Sequence, residues 1–147
     1  MTQDEIIIAN AKTTQRLADL AARCTPADLA RDLGGGWVIA SAFAHLTFWD
    51  RRAAFLLQRW QEGLTVPHDV IPWYDDVLND TIEAWYSVLP NADMPRLCLE
   101  AAKVLEDMIK GAPQSLIDEM VARDDGWLLD RTGHRTEHIE QIEAGLR

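Results

Sequence analysis

Apolar residues recur along this chain at three- and four-residue steps, the period of helices, and nowhere in the sustained alternation that a half-buried strand needs. In the first segment Ile7, Ala11, Thr14, Ala18 and Ala21 keep this spacing, with Ile8 and Leu17 on the flanks, which predicts an amphipathic helix over residues 3–22. Thr25-Pro26-Ala27-Asp28 reads as a capping residue, a first-turn proline and an acidic third position, so a short helical turn follows, ended by Gly34-Gly35-Gly36. A second long helix is predicted over 37–62. Its apolar arc holds Val38, Ala42, Phe48, Trp49, Ala53, Phe55, Leu56 and Trp60, and Gly63 stops it ahead of a loop with Pro67 and Pro72.

The stretch 74–89 predicts a third helix with Leu78, Ile82, Trp85 and Leu89 in one stripe, broken by Pro90. A fourth begins near Asp93 and Pro95. There Leu97, Cys98, Ala101, Val104, Leu105, Met108 and Ile109 fill one arc, and Glu100, Lys103, Glu106, Asp107 and Lys110 fill the other. A short helix over 114–122 and a last long one from 126 to 145 complete the chain. Burying one stripe from each long helix predicts a single all-α domain over 1–147, a four-helix bundle with extra short helices in its connections.

Charge narrows the range of partners. Fourteen Lys and Arg against 24 Asp and Glu give a net charge of −10, which disfavours binding to a phosphate backbone or an anionic membrane surface. At 48% hydrophobic residues the chain is too apolar for a disordered acidic tail. No apolar run approaches the ~20 residues of a spanning helix, and the N-terminus lacks the basic region of a signal peptide. Two cysteines, Cys24 and Cys98, are too few for a disulfide framework, so free thiols in a reducing cytoplasm are expected.

Candidate chemistry centres on the histidines. His134 and His138 stand four apart, and at that spacing two imidazoles share a helix face roughly 6 Å apart and can ligate one metal ion. The bland alternative is a solvated pair. Their face also holds Trp127 and Gly145 and is bordered by Leu128, Ile139, Ile142 and Leu146, which turns it toward the core. Buried neutral imidazoles need a metal or a hydrogen-bonded network. His45 lies inside the apolar arc of helix 37–62, either as a satisfied core residue or as a third ligand. Three protein ligands would leave an open coordination position, the arrangement of a catalytic site.

His68, in the loop after Pro67, reads as a surface residue. The run His134-Arg135-Thr136-Glu137-His138 also fits the H-x-x-E-H protease pattern, but only nine residues follow His138 where a further ligand is required, and Glu137 reads as a solvated residue. Two arginines flank the candidate ligands: Arg52, two turns after His45, and Arg131, three residues before His134. Each either pairs with a carboxylate such as Asp50, Glu83 or Asp130, or receives an anionic group of a substrate.

Gly36-Trp37, Ala44-His45-Leu46 and Phe48-Trp49-Asp50, followed far downstream by His134-Arg135, Glu137-His138-Ile139 and Gln141-Ile142, resemble the DinB-like (YfiT-type) superfamily, which includes the N-terminal domain of mycothiol-dependent maleylpyruvate isomerase. The resemblance covers nearly the whole chain. It implies a four-helix bundle in which His45, His134 and His138 hold a divalent metal, commonly zinc or nickel. It further implies a thiol-dependent transferase or isomerase, or a hydrolase, using mycothiol or bacillithiol, often as a homodimer. Two other classes compete with that expectation: a metal-free bundle that binds or sequesters a small molecule, its tryptophans lining the pocket, and a purely structural dimerisation module.

Overall fold

The computed structural model describes residues 1–64 and 74–147, and in it the chain is mostly helical. The described residues form α1 (Gln3–Arg23), α2 (Pro26–Leu29), α3 (Ile39–Gln61), α4 (Tyr74–Tyr86), α5 (Met94–Gly111), α6 (Gln114–Ala122) and α7 (Thr132–Gly145). Pro67, His68 and Pro72 lie outside the described residues. No helix among the described residues is long and apolar enough to cross a membrane.

Local chemistry accounts for the helix starts. The Thr2 hydroxyl accepts from the Glu5 amide at 3.2 Å while the Glu5 carboxylate accepts from the Thr2 amide at 2.7 Å, a reciprocal cap on α1. Thr25 and Asp28 repeat it on α2, with Pro26 supplying a preset φ in the first turn.

Two short strands correct the expectation that no strand would form. Asp32–Gly34 (β1) and Trp37–Val38 (β2) pair antiparallel, Asp32 opposite Val38 and Gly34 opposite Trp37. They are too short for alternation to be visible. Gly34, Gly35 and Gly36 have φ of 86°, 63° and 87°, so the triplet makes the turn of this ribbon, which a side chain at those positions would strain. As a result α3 starts at Ile39 instead of residue 37, and Ser41 Oγ reaches back to accept from the Val38 amide at 3.2 Å.

The last helix is likewise shorter than its pattern implied. A 3₁₀ turn over Gly126–Leu128 precedes α7, and Asp130 Oδ1 accepts from the Thr132 amide at 3.0 Å and its hydroxyl at 2.6 Å. Trp127 therefore does not share the helical face of His134 and His138. At its other end α7 docks on the ribbon so closely that a Cβ at Gly145 would run into Leu33.

Helices α1, α3, α5 and α7 pack against one another, and the buried residues fall into two apolar clusters. One contains Leu17, Leu20, Ile39, Phe43, Leu46, Cys98, Ile139 and Ile142, and the other Ile6, Ala53, Leu57, Leu105, Ile109, Ile117 and Leu129. Asn10 and Asp50 fall, in sequence along α1 and α3, between the segments that feed the two clusters, as do Arg131 and Arg135 on the closing strand of chain.

Several faces differ from the helical wheels. On α1 the inward side is Ile6, Asn10, Thr13, Leu17 and Leu20, about one residue around from the predicted stripe, leaving Ile8 exposed. Phe55 and Trp85, both assigned to apolar arcs, are 55% and 63% exposed. Tyr86 is buried where Leu89 was expected. On α5 Val104 is exposed and Glu106 buried, the reverse of their assignment.

Candidate metal centre

His45 stands on the inner face of α3, and His134 and His138 occupy successive turns at the start of α7. The structure brings the three together: one ring nitrogen from each lies within 4.8 Å of the others, close enough to hold a metal ion. His45 Nε2 and His134 Nε2 are 3.0 Å apart. The ring centroids are separated by 4.6 to 5.0 Å. Trp37, presented by the ribbon, stacks on His138 with 5.9 Å between centroids and an interplanar angle of 13°, and it lies 5.1 Å from His45.

Each imidazole has a partner on its outer nitrogen. His45 Nδ1 meets the Tyr86 hydroxyl at 3.3 Å, His138 Nδ1 meets Gln141 Oε1 at 3.0 Å, and His134 Nδ1 meets Arg131 Nη2 at 2.8 Å. Burial disfavours the charged imidazolium and is the main cause lowering all three pKa values, to about 3 for His45 and about 2 for His134. The Arg131 guanidinium adds to the depression at His45 and His134, while at His138 the Gln141 hydrogen bond opposes it. At neutral pH the rings are uncharged, the form in which imidazole binds metal.

Behind the histidines lies a layer of buried charge. The Asp50 carboxylate, fully buried, accepts from Arg131 Nε at 3.0 Å through one oxygen and from Arg135 Nε and Nη2 at 3.0 and 2.8 Å through the other. Arg135 Nη1 donates to Thr14 Oγ1 at 2.8 Å and to Glu106 Oε1 at 3.2 Å, and the Thr14 hydroxyl is itself bonded to Glu106. Asn10 ties this layer to the chain entering α7, donating to the Leu129 carbonyl at 2.7 Å and accepting from the Arg131 amide at 2.9 Å. Two carboxylates thus meet two guanidiniums in a buried, hydrogen-bonded cluster, the condition under which buried ions are tolerated.

Arg131 forms the ion pair with Asp50 that was one of its two expected roles, and its other nitrogens meet the Trp127 carbonyl at 3.2 Å and His134, while it also lines the cavity beside the imidazoles. Arg52 behaves differently. Its guanidinium lies 5.1 Å from the Trp49 ring and 5.9 Å from that of Trp127, and its Nη1 is buried with no hydrogen-bond partner among the described residues. Glu137 is exposed, as expected.

Arg135 and Glu106 belong to this buried layer, which the sequence pattern did not reveal. The available signal was Asp50: a carboxylate between Trp49 and Ala53 on a buried arc requires a cation, and Arg131 and Arg135 stand four apart on one face of the closing helix.

A cavity of about 630 Å³ opens beside the imidazoles. His45, His134 and Arg131 line it on one side, Trp49, Trp127, Ile6 and Val121 form apolar walls, and Asp75, Asn79 and Asp130 supply polar groups. Asn79 Oδ1 accepts from Trp49 Nε1 at 3.1 Å and Glu83 accepts from Trp37 Nε1 at 2.9 Å, so α4 braces both indoles next to the histidines. The thiols take no part. Neither cysteine is in a disulfide, and burial pushes the Cys98 pKa up to about 12. Compared with known protein families, curated proteins and solved structures, the chain has no match.

Proposed function

We propose that this chain is a divalent-metal-dependent enzyme of the DinB-like superfamily, built on a four-helix bundle of α1, α3, α5 and α7, with His45, His134 and His138 as ligands. The observation that carries this reading is the convergence of three uncharged imidazoles, His45 and His138 buried and His134 half-buried, of which His45 and His134 line a mostly apolar cavity. The donor set fits: three nitrogens suit zinc or nickel, and the outer nitrogens of His45 and His138 face oxygens able to accept their N–H groups. When bound, the ion supplies Lewis acidity that lowers the pKa of a water or thiol, so that an anionic nucleophile exists near neutral pH.

The reaction class proposed is thiol-dependent transfer or isomerisation, or hydrolysis, on a small molecule, with mycothiol or bacillithiol as the thiol. The cavity's volume and indole walls suit a compact, partly apolar ligand. Arg52, with an unsatisfied donor beside Trp49 and Trp127, and Arg131, which lines the cavity, are the cations that would orient an anionic group of the substrate. Arg131 holds the protein's own carboxylate and histidine. The charge of −10 favours a small-molecule role over nucleic acid or membrane binding, the two free cysteines fit a reducing cytoplasm, and a homodimer is part of the same proposal.

Metal analysis of tag-free protein tests this reading. About one equivalent of zinc or nickel per chain is expected, and less than about a tenth of an equivalent after refolding with either ion overturns it. A second reading, a metal-free bundle that binds a small molecule, is favoured by one observation: the Arg131 contact to His134 Nδ1 and the His134–His45 contact satisfy both His134 nitrogens within the protein. Under that reading His45→Ala leaves ligand binding intact.

A further inference from the structure

A neutral imidazole carries one N–H and one lone pair, whereas a guanidinium only donates. Arg131 Nη2 stands 2.8 Å from His134 Nδ1, so Nδ1 must be the accepting nitrogen and the ring's hydrogen resides on Nε2. That Nε2–H points at His45 Nε2, 3.0 Å away, which accepts. The His45 hydrogen is then on Nδ1, directed at the Tyr86 oxygen. His138 has the same form as His45, its Nδ1–H donating to Gln141 Oε1 and its Nε2 lone pair left for a ligand. Two of the three rings are in the tautomer that ligates through Nε2, and His134 is in the opposite one.

Metal-binding histidines ordinarily donate their second N–H to a carboxylate, carbonyl or water, which fixes the ligating tautomer. Arg131 does the reverse. It is also held firmly: Asp50 takes its Nε, the Trp127 carbonyl takes Nη1, and its backbone amide is bonded to Asn10. Resting on the metal-centre reading above, we propose that Arg131 is a latch on that centre. In the metal-free protein it keeps the ring hydrogen on His134 Nε2, so that this nitrogen offers no lone pair, and loading requires Nη2 to leave Nδ1 as the ring hydrogen passes from Nε2 to Nδ1. The ring is neutral before and after, so no proton is gained or lost in the exchange. Arg131 is accordingly a positioning residue, whose Asp50 and Trp127 bonds decide how far the guanidinium can withdraw.

Two measurements on the full chain test the latch. Long-range 1H–15N correlation spectra of the metal-free protein should show Nδ1–H for His45 and His138 but Nε2–H for His134; Nδ1–H at His134 overturns the proposal without any variant. Arg131→Gln replaces the donor with a side chain able to accept, and Asp50 keeps Arg135 as partner. Zinc affinity, read by competition with a chelating indicator, should rise roughly tenfold in this variant, and less in Arg131→Met, which offers neither donor nor acceptor. Equal or weaker zinc binding by folded Arg131→Gln overturns the latch alone. Zinc binding by neither protein, with the tautomers as described, overturns the metal-centre reading and with it any role for Arg131 in loading.

Discussion

The two polar regions of the interior stand side by side on α3 and α7 and treat burial in opposite ways. In the Asp50 layer every charge faces its opposite and the donors of Arg135 are directed at oxygens of Asp50, Glu106, Thr14 and Asn10. In the histidine cluster one turn away, three uncharged rings crowd together with like nitrogens 3.0 Å apart and an open cavity in front. The first region is saturated and the second keeps the Nε2 lone pair of His138 in reserve. A protein that needed only a stable core would saturate both, so the asymmetry supports the histidine cluster as the proposed binding site and the Asp50 layer as its scaffold.

The comparison breaks most severely at its saturated half. Asp50→Ala removes the carboxylate shared by two buried guanidiniums and should cost about 3–5 kcal/mol in urea denaturation, against well under that for His134→Ala in metal-free protein. A smaller loss for Asp50→Ala than for His134→Ala would reverse the assignment of the two regions. The reserved half should gain from a ligand: zinc at a hundred times its dissociation constant should stabilise the protein by about 2.7 kcal/mol, and His45→Ala should abolish that gain.

Acid separates the regions further. Because the histidine pKa values in the folded state lie below the unfolded value near 6.5, the unfolded chain gains protons first as pH falls. Stability of the metal-free protein is full above pH 6.5 and declines toward about 3, by up to about 1.4 kcal/mol per pH unit for each histidine. Urea midpoints between pH 7.5 and 4 should show the decline in the wild type and a shallower one in His45→Ala; identical slopes would mean the ring is not held neutral. The finest distinction concerns Gln141, whose oxygen receives His138 Nδ1–H. Gln141→Leu should weaken zinc binding roughly tenfold while leaving the denaturation midpoint of metal-free protein nearly unchanged.

Which parts of this arrangement can be read from the chain follows from the range over which each is specified. Helix extents and the Thr25 cap depend on neighbours within four residues, and they agree with the pattern to within a residue or two, α7 and the end of α4 excepted. The three histidines were also legible, because a four-residue spacing and a place on an apolar arc are local facts. Arg135 was not. A guanidinium on a helix reads as solvated unless its partners are known, and Asp50 and Glu106 come from helices 85 and 29 residues away. Glu106 was assigned to the wet face of α5 for the same reason. The inward face of α1 eluded the wheel because Asn10 and Thr13 are polar residues chosen for hydrogen bonds, which shifts the apolar stripe away from the true contact. The ribbon was hidden by its brevity, and the Gly triplet by its resemblance to a simple helix stop.

That ribbon has an optical consequence. The glycine turn sets Trp37 with its ring nearly parallel to that of His138 and its centroid 5.1 Å from that of His45, inside the distance at which a bound transition ion with unfilled d orbitals drains an excited indole. If the proposed centre takes up an ion, the emission of Trp37 should dim with nickel or cobalt and persist with closed-shell zinc. The two-stranded ribbon among the described helices would thus be the piece that lets the proposed centre be watched.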